Sequence, residues 1–456
     1  MPLKLKNTLT KTEEVFEPIN KDSVSLYTCG PTVYNYPHIG NYRAYIFGDI
    51  LKRTLSYLGY NVKHIMNITD IDDKTIRDSI AEGKTLAEFT EFYTQEFYKD
   101  IEAIHIVRAE KYTKATDYID EMVKMIETLI EKGFAYKGDD GSVYFDIAKD
   151  TEYGKLSHFT LSDLKENAKG RMSADEYDKE NAQDFALWKA WDENDGEVFW
   201  ETSLGKGRPG WHIECSAMSI AELGDHIDIH TGGVDNMFPH HENEIAQSEC
   251  ATGHQFVKYW MHNEHLMVDG KKMSKSAGNF YTLRDIEKLG ITPMAYRYWL
   301  YMGNYDTKVN FTIEAVSGAQ TALERLYTAY RDLGDNSEVG LPNMDYKTKF
   351  TEFISDNLNT PKALALVWEL VKDESVSPMD KKATLLDFDK VLGFGFENIK
   401  EETDIEIPSE ISKLAETRTQ ARNEKNWSES DKLRDQIKDL GYEIKDTDTG
   451  YKISKI

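Results

Sequence analysis

Three cysteines in 456 residues, Cys29, Cys215 and Cys250, are too few and odd in number for a disulfide framework. The scarcity points to reduced thiols in a reducing compartment and leaves thiolates available as metal ligands. No uninterrupted apolar run approaches the roughly 18 residues that a membrane span needs. The N-terminus, MPLKLKNTLTKTEE, lacks the continuous apolar core of a secretory signal. A cytoplasmic protein with no membrane partner is expected. Basic residues are also in short supply: 55 Lys and Arg face 80 Asp and Glu, a net charge of −25. Such a field repels a phosphate backbone and excludes wholesale coating of nucleic acid, though not local contact. Between Ile411 and Ile456 ten basic residues meet nine acidic ones, so this tail is +1 while the other 410 residues carry −26. Fixed-period repeats and low-complexity tracts are missing as well.

The length suffices for about three domains with proper cores. VSLYTCG (24–30) reads as a buried strand, GPTVYNYPHIGN as a loop, and Ile46, Phe47, Ile50, Leu51, Leu55 and Leu58 recur at helical spacing up to Gly59. NVKHIMNI (61–68) reads as the next strand, completing a βαβ unit whose first loop carries Cys29 and His38 to the carboxyl edge of a sheet, where α/β folds bind ligands. Residues 111–205 mix a long helical pattern with GSVYFDI and FALWKAW, as an insertion between two half-sheets does, and SLGKGRPG (203–210) reads as a loop. Beyond 310, Val316, Ala319, Leu323, Leu326, Tyr330 and Leu333 mark an amphipathic helix, and Thr360 with Pro361 starts another. EETDIEIP (401–408) reads as a linker, Ser428 with Asp431 as a helix capping pair, Gly441 as a helix stop, and YEIKDTDTGYKI as a hairpin.

FPHHENE (238–244) holds the residue types of a zinc site. The protease signature H-E-x-x-H fails, because the position four after His241 is Ile245. His240 and Glu244 do stand at i, i+4, on one helical face and close enough to share an ion. KMSKS (272–276), flanked by VDG and AGN, reads as a mobile loop. PHIGN (37–41) opens a helix after the first strand, which offers backbone N–H groups and a positive helix end to a phosphate beside His38.

HIGN with a downstream KMSKS resembles the paired signature of class I aminoacyl-tRNA synthetases. TCGPTVYNYPHIGN, NITDIDDK, GWHIECSAM, DIHTGGVDNMFPHHENEIAQSE and KMSKSAGNF together resemble the cysteinyl-tRNA synthetase family, with further likeness in DNLNTPKAL and ARNEKNW. The resemblance implies an α/β fold. A Rossmann-type parallel-sheet catalytic domain (1–110 and 206–310) carries a connective insertion (111–205), followed by a helical bundle (311–400) and a small α+β anticodon-binding domain (401–456). It implies ATP, entering with Mg, as a substrate beside L-cysteine and tRNA(Cys), one zinc ion per chain, and a monomer. His38, Lys272 and Lys275 are the implied catalytic groups on the phosphates. Gly40, Asn41, Gly233, Asp235 and again Lys275 are implied around the nucleotide. Thr69, Trp211 and His230 are implied in the amino-acid pocket, with His212 and His241 in support, and Cys29, Cys215, His240 and Glu244 as zinc ligands. Arg422, Trp427, Asp431 and Asp446 are implied at the anticodon, and Cys250 is left as a core residue. Two positions depart from the family pattern: Asn41 stands where a histidine often ends the first motif, and Thr231 where glycine is commoner. Three other readings compete: a cysteine ligase acting on a small amine, a zinc hydrolase, and a catalytically silent tRNA-binding module.

Overall fold

The computed structural model describes residues 2–159, 184–273, 278–334, 340–399, 408–447 and 450–455. A five-stranded parallel sheet organises its catalytic half, in the spatial order Lys111–Lys114, Val62–Ile68, Val24–Thr28, Ile227–Gly233, Val257–Asn263. In chain order that is third, second, first, fourth and fifth. The direction of winding reverses between Val24–Thr28 and Ile227–Gly233, and such a reversal opens a crevice at the carboxyl ends of the strands. Helices cover both faces, so the central strands are apolar throughout: Leu26, Tyr27, Ile65, Ile68, Ile227 and Ile229 are all buried. The first strand stops at Thr28, and Cys29 therefore opens the loop instead of closing the strand. The helix Ile39–Tyr57 buries Ile39, Tyr42, Ile46, Phe47, Ile50, Leu51 and Leu55 against the sheet, and its chain reverses at Gly59 with φ +92°.

The insertion forms its own antiparallel sheet, ordered Ala135–Lys137, Val143–Phe145, Phe185–Ala190, Gly205–Pro209, Trp200–Thr202. Both of its expected limits shift. Lys111–Lys114, expected in the insertion, is the edge strand of the parallel sheet, paired from Ile65↔Lys111 to Ile68↔Lys114. Its sequence KYTK hides this, since an edge strand needs no apolar run. At the other end SLGKGRPG includes a strand despite its glycines and proline. Arg208 anchors it, donating from Nε to Asp195 Oδ1 at 2.8 Å and pairing with Asp73. These tertiary ion pairs outweigh the poor local propensity.

Helices Ile313–Arg331, Met344–Ser355, Thr360–Lys372 and Pro378–Leu392 form the bundle; Leu333 lies just beyond the first of them. Arg297, fully buried in the helix Pro293–Tyr301, ties bundle to sheet domain. It donates to Asp49 Oδ2 at 2.5 Å, to the Leu392 carbonyl at 2.9 Å and to the Ile104 carbonyl at 2.9 Å. The C-terminal unit pairs helices Ser409–Asn423 and Trp427–Asp439 with the hairpin Tyr442–Thr447 and Gly450–Lys455 around Ile411, Ala415, Ile437, Ile444 and Ile453. The capping pair expected at Ser428 and Asp431 is replaced by Asn426, whose side chain accepts from the Glu429 N–H. Both residues are good caps, and the tight turn at Lys425, with φ +57°, starts the helix two residues earlier. Of the expected linker only Pro408 lies within the described residues.

Candidate functional site

Three segments far apart in the chain meet at the sheet's winding reversal. Cys29 leaves the end of Val24–Thr28; Cys215 lies in the helix Trp211–Leu223; His240 and Glu244 sit where the turn Met237–His241 runs into the helix Glu242–Thr252. The ligating atoms of Cys29, Cys215, His240 and Glu244 all lie within 4.8 Å of one another. His240 Nε2 is 3.1 Å from Glu244 Oε1. Yet that oxygen, fully buried, accepts no hydrogen bond. The two donors lie side by side without aiming at each other, as groups do that face a common third point.

A second set, Cys29, His230, His241 and Glu244, is equally close and shares Cys29 and Glu244 with the first, and its imidazoles contact those two shared members. His230 Nε2 meets Glu244 Oε2 at 3.0 Å, and His241 Nε2 meets Cys29 Sγ at 3.2 Å. Behind them His241 Nδ1 contacts His262 Nε2 at 2.7 Å, and His262 Nδ1 contacts Thr8 Oγ1 at 2.9 Å. On the other flank His240 Nδ1 meets His212 Nδ1 at 2.9 Å, while Trp211 stacks on the His240 ring at 4.2 Å. Outer partners of this kind fix the tautomer and aim of ligating groups. The thiols are unequal. The hydrogen bond from Cys215, helped by His241 and His240, holds Cys29 well below the ordinary thiol range. The same bond together with burial pushes Cys215 well up. Burial, and then the neighbouring His240, drives His212 well below the usual imidazole range.

The helix Ile39–Tyr57 begins on the same edge. His38 is its N-cap: Nδ1 accepts from the Asn41 N–H at 3.2 Å, and Asn41 Oδ1 accepts from the His38 N–H at 3.0 Å. An accepting Nδ1 puts the proton of the neutral ring on Nε2. Asn41 thus serves the helix cap, which accounts for an amide where the family pattern often has an imidazole. A Cβ at Gly40 would lie 2.9 Å from two His38 ring atoms and 3.1 Å from Met273 Cε, so the imidazole itself demands glycine there. A Cβ at Gly232 would lie 2.6 Å from His241 Cε1, so that position too is closed to larger residues. Gly233 ends the fourth strand and Asp235 is exposed beyond it. Lys272 is exposed on a small separate sheet, one residue before Met273. Lys275 lies outside the described residues.

Thr69 is buried, its Oγ1 accepting from Asn67 Nδ2 at 3.1 Å. His230 lies behind Glu244 and stacks on Trp260 at 4.5 Å. Three more polar residues are buried at this edge: His262, outside every motif, and Glu214 and Glu242, which lie inside GWHIECSAM and FPHHENE but have no role assigned there. Burial, then Asp72, raises the Glu214 carboxyl well above the usual range, opposed by a hydrogen bond with Thr69. Glu242 accepts from three backbone N–H groups of the insertion, Gly154 at 3.0 Å, Leu156 at 3.3 Å and Ser157 at 2.7 Å. A charge-bearing residue inside an apolar pattern is the only trace such groups leave, and the residues that satisfy these three come from distant segments. Cys250 is half-buried, its thiol pushed up to about 12 by burial.

The C-terminal unit gathers a second group. Trp427 is 56% exposed, with the Arg422 guanidinium 5.6 Å from its ring. Asp446 accepts from Arg418 at 2.8 and 3.1 Å and pairs with Arg422 at 3.1 Å, and Asp431 pairs with Arg434 at 3.3 Å.

Residues 15–321 match a family described as tRNA synthetases class I (C) catalytic domain. A cysteine–tRNA ligase of Protochlamydia amoebophila is 46% identical over an alignment of 472 residues, covering 100% of this chain and 98% of that protein. One from Brachyspira hyodysenteriae is 47% identical over 464 residues, covering 98% of each. Among solved structures, Mycobacterium tuberculosis methionyl-tRNA synthetase in complex with methionyl-adenylate shares the fold with a TM-score of 0.57 at 14% identity, over 82% of this chain and 90% of that one. Full-length identity at this level, on a fold whose sheet edge assembles the thiol, imidazole and carboxylate groups, shows that the chain belongs to the cysteine–tRNA ligases, class I aminoacyl-tRNA synthetases.

Proposed function

We propose that this chain joins L-cysteine to ATP and passes the cysteinyl group to the 3′-terminal ribose of tRNA(Cys), with one zinc ion held by Cys29, Cys215, His240 and Glu244 to select the thiol. The observation that carries the metal reading is the four-donor cluster whose Glu244 Oε1 is buried without a hydrogen bond. The donor set fits zinc: two thiolates, an imidazole and a carboxylate, with three negative charges around a divalent ion, make an electron-rich site poorly suited to acidifying water. When bound, the ion offers the substrate sulfur a coordination that a hydroxyl or methyl cannot match. Shape alone separates near-isosteres such as serine and cysteine only about a hundredfold.

The protein's own residues then position the reaction. A substrate carboxylate oxygen attacks the α-phosphorus, the bond to the bridging oxygen breaks, and pyrophosphate leaves with the electron pair, with Mg accompanying ATP. No protein nucleophile is required, only orientation and positive charge. His38 Nε2–H and the helix N-terminus face the phosphates, Lys272 and Lys275 balance their charge, Asp235 takes the ribose hydroxyls, Gly233 turns the chain toward them, and Gly40 and Asn41 shape the base side. Thr69, Trp211 and His230 frame the amino acid. A terminal ribose oxygen next attacks the acyl carbonyl, the carbon–oxygen bond to the phosphate breaks, AMP departs with the electron pair, and the hydroxyl proton passes to the departing phosphate or to water. Arg422, Trp427, Asp431 and Asp446 read the anticodon by stacking and edge hydrogen bonds. The chain is read as a monomer of the cytoplasm, whose reducing conditions suit three cysteines that form no disulfide.

Cysteine-dependent ATP–pyrophosphate exchange followed by charging of purified tRNA tests the reading. Exchange without charging would favour a small acceptor. Removing the metal should weaken cysteine binding far more than ATP binding, and equal cysteine affinity in folded, metal-free protein would reject the zinc role.

A further inference from the structure

The imidazole of His38 is held from the opposite half of the catalytic domain. The segment 280–284 runs alongside the loop that precedes the helix Ile39–Tyr57. Phe280 packs edge-on against the His38 ring at 5.2 Å, the Tyr281 carbonyl accepts from the Ile39 N–H at 2.9 Å, and Thr282 forms an antiparallel bridge with His38. Two residues further on, in the short helix Leu283–Lys288, the Arg284 guanidinium lies 4.0 Å from the ring centre of Tyr36. Tyr36 is two residues before His38, and its ring also packs edge-on against Tyr93 of the helix Leu86–Ala103 at 5.5 Å. The same guanidinium donates to Asp100 Oδ2 at 2.8 Å and to Glu96 Oε2 at 2.6 Å, both on that helix. Asp100 also takes the Tyr42 hydroxyl, from the helix that His38 caps.

We propose that Arg284 is a positioning residue for adenylate formation: anchored on Asp100 and Glu96 and laid over Tyr36, it locks the 280–284 segment onto the His38 loop and so fixes where His38 presents Nε2–H. The inference rests on the reading of His38 as a phosphate-facing group. Arginine suits the task because one planar group serves two carboxylates and a ring face together; lysine, a point charge on a flexible stem, cannot cover both. The energetic demand is positional, since a displacement of about 1 Å at a reacting group costs about 10²-fold in rate. Arg284 touches no reacting atom in this arrangement. Its influence should therefore fall on kcat for activation and on the KM for ATP, and spare the four-donor cluster of Cys29, Cys215, His240 and Glu244.

The test compares Arg284→Gln and Arg284→Lys with the parent enzyme in ATP–pyrophosphate exchange, alongside bound-metal content and thermal midpoint. Arg284→Gln is expected to lower kcat by about 10²-fold, with the KM for cysteine and the metal content unchanged. Arg284→Lys should recover part of the loss, because its charge still reaches Asp100 or Glu96. Wild-type kcat in Arg284→Gln would overturn the inference. So would a loss that moves the cysteine KM, metal content and thermal midpoint in step, the mark of a merely structural ion pair. Should Arg284→Gln fail to fold, Tyr36→Leu removes the stacked ring and leaves both ion pairs, and is expected to show the same kcat loss. A parent enzyme without cysteine-dependent exchange would overturn the functional reading itself, and this inference with it. Normal parent exchange with an unaffected variant overturns the inference alone.

Discussion

On the proposed metal reading Glu244 uses both of its oxygens. Oε2 meets His230 Nε2 at 3.0 Å, and Oε1 is buried without a hydrogen bond, 3.1 Å from His240 Nε2. An amide has one oxygen and no charge: turned toward His230 that oxygen leaves the metal a nitrogen that does not ligate, and turned toward the metal it is only a neutral donor. Glu244→Gln should therefore lower metal affinity by at least the 10- to 100-fold expected for losing even an outer partner. Bound metal measured after dialysis against a graded chelator reads this directly. The cysteine KM should rise with it while the ATP KM holds. A variant that keeps its metal at every chelator concentration would show that Glu244 is no ligand. The i, i+4 pairing of His240 with Glu244 was visible in the sequence because it is local. Cys29 and Cys215 were not linked by spacing at all, and only resemblance joined them to the pair. His262 lay outside every motif, and the contacts of Glu214 and Glu242 were not legible inside theirs, because what makes each of them matter is a partner dozens or hundreds of residues away.

Strand pairing is where buried titration enters. His64, on Val62–Ile68, lies fully buried with Nε2 2.8 Å from Thr28 Oγ1, at the last residue of the neighbouring strand. Burial, and then Lys52, lowers its pKa to about 3. In the unfolded chain a histidine titrates near 6.5. Between those values the unfolded state holds a proton that the folded state refuses, so this group's contribution is fully present above about pH 6.5 and is lost as the pH falls toward 3. One such site costs about 2 kcal/mol between pH 7 and pH 5. His64→Gln keeps a group able to meet Thr28 and removes the titration. Denaturant unfolding at pH 7 and at pH 5 should show the variant losing about 2 kcal/mol less than the parent; parallel losses would mean that His64 is protonated without penalty. At the same scale, elements with strong patterns were legible: the two strands flanking the helix Ile39–Tyr57, that helix itself, and the closing hairpin. Lys111–Lys114 and Gly205–Pro209 were not, since an edge strand and a glycine-rich strand take their stability from neighbours. Asn426 displaced Ser428 as a cap because two good caps stood two residues apart and the Lys425 turn chose between them.

At the scale of the whole molecule, the sequence announced an α/β unit interrupted and then resumed, but the order of its strands, which sets the winding reversal and hence the site, is a property of pairing that periodicity does not carry. Charge is divided unevenly along the chain. The first 410 residues hold −26 and the last 46 hold +1, so a polyanion meets its weakest repulsion at the C-terminal unit. There Trp427 stands 56% exposed, its ring flanked by Arg422, while Asp446 is held ionised below the usual carboxylate range by its bonds from Arg418. An exposed indole costs solvent contact with apolar surface unless a partner covers it, and a nucleobase is a flat partner of the right size. Stacking of one base on an aromatic ring contributes about 1–3 kcal/mol. Trp427→Ala should accordingly reduce kcat/KM for tRNA charging by about 5- to 150-fold. The residues proposed for adenylate formation belong to a part of the chain with its own core, so on that reading the ratio of charging to pyrophosphate exchange should fall by the same factor. Trp427→Phe, which keeps a ring, should lie between the two. Charging and exchange that decline together would place the tryptophan in the stability of the chain and remove it from anticodon recognition; charging that does not decline at all would also remove it from anticodon recognition.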